Sequence, residues 1–174
     1  TEGTGGSASG RYPESLRAAR FPGSAVYNGG VGGETSIQIR TRALADPYRK
    51  DWTTVIWVGR NNYTAYETVL SDIAAMVANL GHRRFVVLSV LNMSNGSEGT
   101  GTAGLTAILR LNDTLAQMYP NNYLDIRSLI VAASGGSNNS PAPAWTVDTI
   151  HLNDTGYGYV ATQVSAYLRA KNWY

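Results

Sequence analysis

A chain of 174 residues with 43% hydrophobic residues is sized for one compact core, so a single domain over residues 1–174 is the expectation. Charged residues reach only 15%, and 14 Lys plus Arg against 12 Asp plus Glu leaves a net charge of +2, too little concentrated positive charge for a nucleic-acid binder. Zero cysteines exclude a disulfide framework, a thiolate metal centre and a cysteine nucleophile, and no apolar run approaches the roughly 20 residues that span a bilayer.

In chain order, the periodicity predicts a helix over Pro13–Ala19, a strand over Ser24–Asn28, a helix over Thr35–Ala45 and a strand over Thr53–Gly59. A helix over Ala65–Leu80 follows, with Val69, Ile73, Met76, Val77 and Leu80 on one stripe and Gly81 as its stop. Next come a strand over Arg84–Leu91, a helix over Ala103–Met118, a short strand near Tyr123–Ile126 and a last helix over Thr155–Ala170, for which Asn153 or Asp154 is a natural N-cap. Apolar β-branched runs alternating with helical stretches predict an α/β fold with a mostly parallel sheet. Two low-complexity loops, Ser94–Gly104 and Ser134–Pro143, fall at the carboxyl ends of strands. Open α/β sheets bind ligands there, so both are expected to be mobile walls of a site, the alternative being plain solvated linkage.

The chain has two histidines, His82 and His151. His82 follows the Gly81 stop and is expected in a solvated turn. His151 stands three residues after Asp148, a separation at which a carboxylate reaches back to imidazole Nδ1. That bond either orients a catalytic base or only stabilises a loop. The segment Asn28–Ser36 carries four glycines that can present backbone N–H groups just before a helix, or simply turn the chain. After the strand ending at Gly59, Asn61 can donate its amide to an oxyanion or cap a helix. Two separated histidines and no cysteine predict no metal site and no metal requirement.

Taken together, Asn28–Ser36 (NGGVGGETS), Gly59–Asn62 (GRNN) and Asp148–Tyr157 (DTIHLNDTGY) resemble the second, third and fifth blocks of the SGNH hydrolase superfamily, the GDSL-type esterases and lipases. The resemblance implies a flavodoxin-like three-layer α/β/α sandwich without a cofactor. It also implies Gly33 and Asn61 as oxyanion donors, His151 as general base and Asp148 as its orienting partner. The family's Gly-Asp-Ser-Leu block is missing from the 174 residues. Thr1 through Gly5 look like the stretch that normally follows it, so the serine and the first strand are expected in an upstream polypeptide segment, the serine two positions before Thr1. Ser7 and Ser9 are weaker substitutes because they lie close to the first helix. Asn62 and Glu34 stand where Asp is commoner in the family. Arg60 would meet an anionic substrate or a surface carboxylate, and Trp145, Tyr63 and Tyr157 would line an acyl or sugar pocket or pack in the core.

The expected activity is serine carboxyl-ester hydrolysis that removes acetyl or other short acyl groups from a carbohydrate or small ester. The alternative is a non-catalytic carbohydrate-binding or virion-structural module that keeps the fold. Neither nucleic acid nor membrane is expected as a partner. Six Asn-x-Ser/Thr patterns, at Asn62, Asn92, Asn95, Asn112, Asn138 and Asn153, are awkward for a eukaryotic secreted protein. They favour a bacterial or phage source and an extracellular or virion-associated location.

Overall fold

The computed structural model describes residues 5–19 and 25–173. The chain forms two compact units, one from residues 33–91 and 106–125, the other from residues 1–32, 92–105 and 126–174. The helix and parallel-sheet content is that of the expected α/β class.

The sheet belongs to the unit of residues 33–91 and 106–125. Strands β1 (Thr54–Ile56), β2 (Phe85–Leu88) and β3 (Tyr123–Leu124) lie in that order, all parallel, with Val55 opposite Val86 and Val87 opposite Tyr123. Every residue of β2 is buried, as a central strand covered on both faces requires. Helix α2 (Ser36–Ala45) packs on α3 (Tyr66–Leu80). The predicted stripe of α3 is what this unit buries: Val69 and Ile73 are inaccessible to solvent and join Ile56, Val87, Ile108 and Leu111 in one apolar cluster. Ile108 and Leu111 come from α4 (Ala103–Met118), whose bounds are those predicted.

Both longer strands are shorter than their apolar runs, for identifiable reasons. Gly59 has φ 110° and turns the chain into a short 3-10 segment, Arg60–Asn62. Ahead of it, the Trp57 indole N–H donates to the Ser89 carbonyl at 3.0 Å. Past β2, the Asn112 side chain takes over the backbone of Val90, accepting from its N–H at 2.8 Å and donating to its carbonyl at 3.0 Å. The predicted strand near Tyr123–Ile126 ends at Leu124.

In the other unit, α6 (Asp154–Ala170) packs on α1 (Tyr12–Ala19) and on α5 (Ile126–Ala133). Leu16, Ile130, Val160, Val164 and Leu168 are among its buried apolar residues. Asn153 is the N-cap of α6, its side-chain oxygen accepting from Gly156 N–H at 3.1 Å. Helix α5 begins where the sequence reading placed a strand end. Of the strand expected over Ser24–Asn28, the described residues 25–28 form none. Ser24 lies outside the described residues, and residues 25–28 pair with no described strand; an extended segment holds its place only against a partner.

The two low-complexity loops are joined by buried polar groups. Asn92 Nδ2 donates to the carbonyls of Glu98 (2.8 Å) and Asn139 (3.0 Å) and to Ser140 Oγ (2.9 Å). The Arg127 guanidinium, only 3% exposed, donates to Asn92 Oδ1 at 3.0 Å and to the Asn139 carbonyl at 2.6 Å. Such a network is stable only when each buried group has a partner.

Candidate active site

The unit containing α6 holds the predicted acid–imidazole pair. Residues 148–151 form a tight turn closed by an antiparallel bridge between Thr146 and Leu152, with Val147 N–H donating to the His151 carbonyl at 3.0 Å. Asp148 Oδ2 lies 2.6 Å from His151 Nδ1, while Asp148 Oδ1 accepts from the backbone N–H groups of His151 (2.8 Å) and Ile150 (3.2 Å). The His151 backbone N–H, followed by its ring, holds the Asp148 carboxyl below its ordinary value. An ionised Asp148 accepts only, so it draws the ring proton to Nδ1 and leaves Nε2 with a lone pair able to take a proton.

Thr149, at the centre of this turn, sits at φ 73°, a region a β-branched residue adopts only when its surroundings impose it. Its carbonyl accepts from Ser94 N–H at 2.8 Å, and Ser94 Oγ meets Thr146 Oγ1 at 3.0 Å. The N-terminal segment reaches the same turn. A Cβ placed on Gly5 would fall 2.8 Å from His151 Cβ, so the backbone of Gly5 lies directly against the histidine. Ser7 is engaged elsewhere: its N–H and hydroxyl donate to the two carboxylate oxygens of Asp154 at 2.6 and 2.7 Å.

The sheet-bearing unit contains the other two predicted residues, Gly33 and Asn61, and brings them to neighbouring stretches of chain. Gly33 is exposed at φ 77°, a conformation that explains glycine there. Glu34 and Thr35 lead into α2, where the Gln38 side chain accepts from Thr35 N–H at 2.9 Å. Asn61 Nδ2 donates to the Glu34 carbonyl at 2.8 Å. Asn61 caps neither neighbouring helix, since the cap position of α3 is Ala65 and that of the 3-10 segment is Gly59. Its side chain is exposed, and the bond to Glu34 uses one of its two amide hydrogens. The turn is fixed by Gly59, where an added Cβ would lie 3.0 Å from Val69 Cγ1. Glu34 is anchored by Arg42, whose Nε donates at 2.9 Å and whose side-chain bond holds the Glu34 carboxyl below its ordinary value.

The other residues singled out by sequence have packing roles. The Arg60 guanidinium stacks over the Tyr63 ring at 5.3 Å. Tyr157 is 2% exposed, and Trp145 packs against Tyr159 with ring centroids 5.3 Å apart. His82 Nδ1 accepts from Arg84 N–H at 3.1 Å in the turn before β2. Among the described residues, no group of three or more His, Cys, Asp or Glu side chains is placed to hold a metal ion, and no helix is long and apolar enough to cross a membrane. Sequence reasoning missed Ser36 and Asp72 beside the Gly33 loop and the pairing of Asn92 with Arg127 between the loops, and it noted Asn62 only as standing where Asp is commoner. The pairs Ser36–Asn62, Ser36–Asp72 and Asn92–Arg127 are 26, 36 and 35 residues apart, a distance at which no local pattern signals a pairing.

The chain aligns along 97% of its length with a candidate lipolytic protein of the G-D-S-L family from Desulfitobacterium hafniense, covering 94% of that structure with a TM-score of 0.74 and 20% identity. It has the SGNH-hydrolase fold. A candidate acylhydrolase from Bacteroides fragilis is similar to the chain with a TM-score of 0.63 and 22% identity, over 82% of this chain and 73% of that one. In sequence, the chain is 28% identical over 141 residues to the tail spike protein of Salmonella phage epsilon15. That alignment covers 68% of this chain and 13% of the tail spike, so the chain corresponds to a small part of that relative's length. No family model matches the chain.

Proposed function

We propose that this SGNH-fold chain acts in serine ester hydrolysis, in which His151 is the general base, Asp148 orients it, and Gly33 N–H with Asn61 Nδ2 stabilises the tetrahedral oxyanion. The observation that carries the reading is the 2.6 Å Asp148–His151 bond in a turn against which the N-terminal segment lies at Gly5. The nucleophile in this reading is a serine two positions before Thr1.

In the mechanism, His151 Nε2 takes the serine hydroxyl proton as the oxygen attacks the ester carbonyl, and the negative charge develops on the former carbonyl oxygen. Gly33 and Asn61 donate to that oxygen. His151 then gives the proton to the leaving alcohol, forming the acyl-enzyme, and repeats the cycle with water to release the acid. Asp148 stabilises the imidazolium without itself being protonated. The upstream segment would also supply a strand to the sheet, in which β1 is an edge strand among the described residues.

The substrate class is a short acyl ester of a carbohydrate or small alcohol. Neutral polar composition supports this, as does the similarity to a tail spike protein, which also supports a virion-associated location. The test is hydrolysis of p-nitrophenyl acetate by the longer polypeptide that carries this chain. Turnover that disappears in His151→Ala is expected, and turnover that persists in it would overturn the reading. The alternative of a non-catalytic module predicts no turnover and no serine labelled by a fluorophosphonate.

A further inference from the structure

We infer that Asp72 is a positioning residue for the oxyanion donors, because its buried carboxylate sets the direction of the hydrogen bonds that hold Asn62, and with it the turn that presents Asn61. This rests on the hydrolase reading above. Asp72, on α3, is 1% exposed and accepts from Ser36 Oγ at 2.6 Å through one oxygen and from Arg40 Nη1 at 2.9 Å through the other. Ser36, the first residue of α2, is inaccessible to solvent. Its Oγ accepts from Asn62 Nδ2 at 2.9 Å, and its backbone N–H donates to Asn62 Oδ1 at 3.1 Å.

The chemistry of these groups permits one arrangement. A carboxylate only accepts, so the single Ser36 hydroxyl proton must point at Asp72. The Ser36 oxygen then has only lone pairs to offer Asn62, which must present its NH2 to that oxygen and its carbonyl to the Ser36 N–H. Asn62 is thereby clamped at both ends of its amide. It shares the 3-10 turn with Asn61, and Ser36 follows the Glu34 carbonyl that Asn61 engages by two residues. Both oxyanion donors are thus carried by segments that meet in this clamp. The same logic explains Asn rather than Asp at position 62: a second carboxylate would face a hydroxyl whose only proton is already given to Asp72.

The test uses a swap. In the longer polypeptide, Asp72→Asn and Asn62→Asp each break the chain of donors and should lower kcat on p-nitrophenyl acetate by about 10²-fold, the scale of a misplacement of about 1 Å, with KM nearly unchanged. The double variant D72N/N62D restores a consistent set. The carboxylate introduced at position 62 accepts from both the hydroxyl and the backbone N–H of Ser36, the amide introduced at position 72 donates to Ser36 Oγ, and most of the lost kcat should return. A purely structural role would lower the melting temperature of the single variants without changing kcat of the folded protein, and that outcome overturns the inference. So does a double variant no faster than either single one. Side-chain amide exchange of Asn61 and Asn62, followed by nuclear magnetic resonance, separates this from failure of the hydrolase reading. If the wild type does not hydrolyse the ester, that reading falls, whereas Asn62 amide protection unchanged in Asp72→Asn overturns the clamp itself.

Discussion

Asp148 holds His151 through two different groups of the same residue, the ring at 2.6 Å and the backbone N–H at 2.8 Å, so the carboxylate orients both the imidazole and the turn beneath it. Its carboxyl is shifted downward by these bonds, which fixes the sign of the pH dependence. The stabilisation is fully present above the ordinary Asp value near 4 and is lost as pH falls through the lower folded value. Thermal melting of the wild type and Asp148→Asn as a function of pH should therefore show a gap at neutral pH that closes in acid; a gap that widens in acid would contradict the geometry. At Asn61, the expected effect of Asn61→Ala is a kcat lower by roughly 10²–10³-fold, or about 2.7–4 kcal/mol, with KM nearly unchanged. Steady-state kinetics and melting on one preparation check this: an unchanged kcat with a lowered melting temperature would remove Asn61 from the mechanism. The three-residue spacing of Asp148 and His151 made their contact legible in the sequence. The donor role of Asn61 toward Glu34 was not legible, because an amide at a strand end is equally suited to capping.

At the scale of elements, function depends on what ends each strand. Gly59 combines a left-handed backbone with a close approach to Val69, and the turn that follows it carries Asn61. Gly59→Ala should cost at least about 1 kcal/mol from the backbone conformation alone. Chemical denaturation would read this as a lowered midpoint at constant slope. Arg127 ties the loops of residues 94–104 and 134–143 through Asn92 and Asn139. Arg127→Met should cost about 1–3 kcal/mol for each buried acceptor left without a donor. It should also expose those loops to limited proteolysis at sites protected in the wild type; an unchanged cleavage pattern would show that the network does not hold them. Helices are legible where a long apolar stripe meets a clear stop, as in α3 with Gly81, and α4 has the expected bounds. Helix α5 escapes a sequence reading because Leu124, Asp125 and Ile126 alternate apolar and polar as a strand does, so the end of β3 and the start of a helix look alike there. Ser24–Asn28 reads as a strand by composition, but strand formation needs a pairing partner that composition does not supply.

For the whole molecule, a net charge of +2 and only 15% charged residues leave no concentrated positive field of the kind that recruits polyanions. The α/β class was legible from apolar runs alternating with helical stretches, and the SGNH fold from the resemblance that three short motifs in the right order carry. The buried networks around Asp72 and Arg127 depend on pairings between residues far apart in sequence and emerge only with the fold. The central claim, that His151 is the base of a serine ester hydrolase, is tested most directly by p-nitrophenyl acetate turnover of the natural protein that carries this chain, with and without His151→Ala. The account predicts turnover in the wild type and its loss in a variant that melts at an unchanged temperature. Equal turnover in both, or none in a wild type containing the upstream serine, would contradict it.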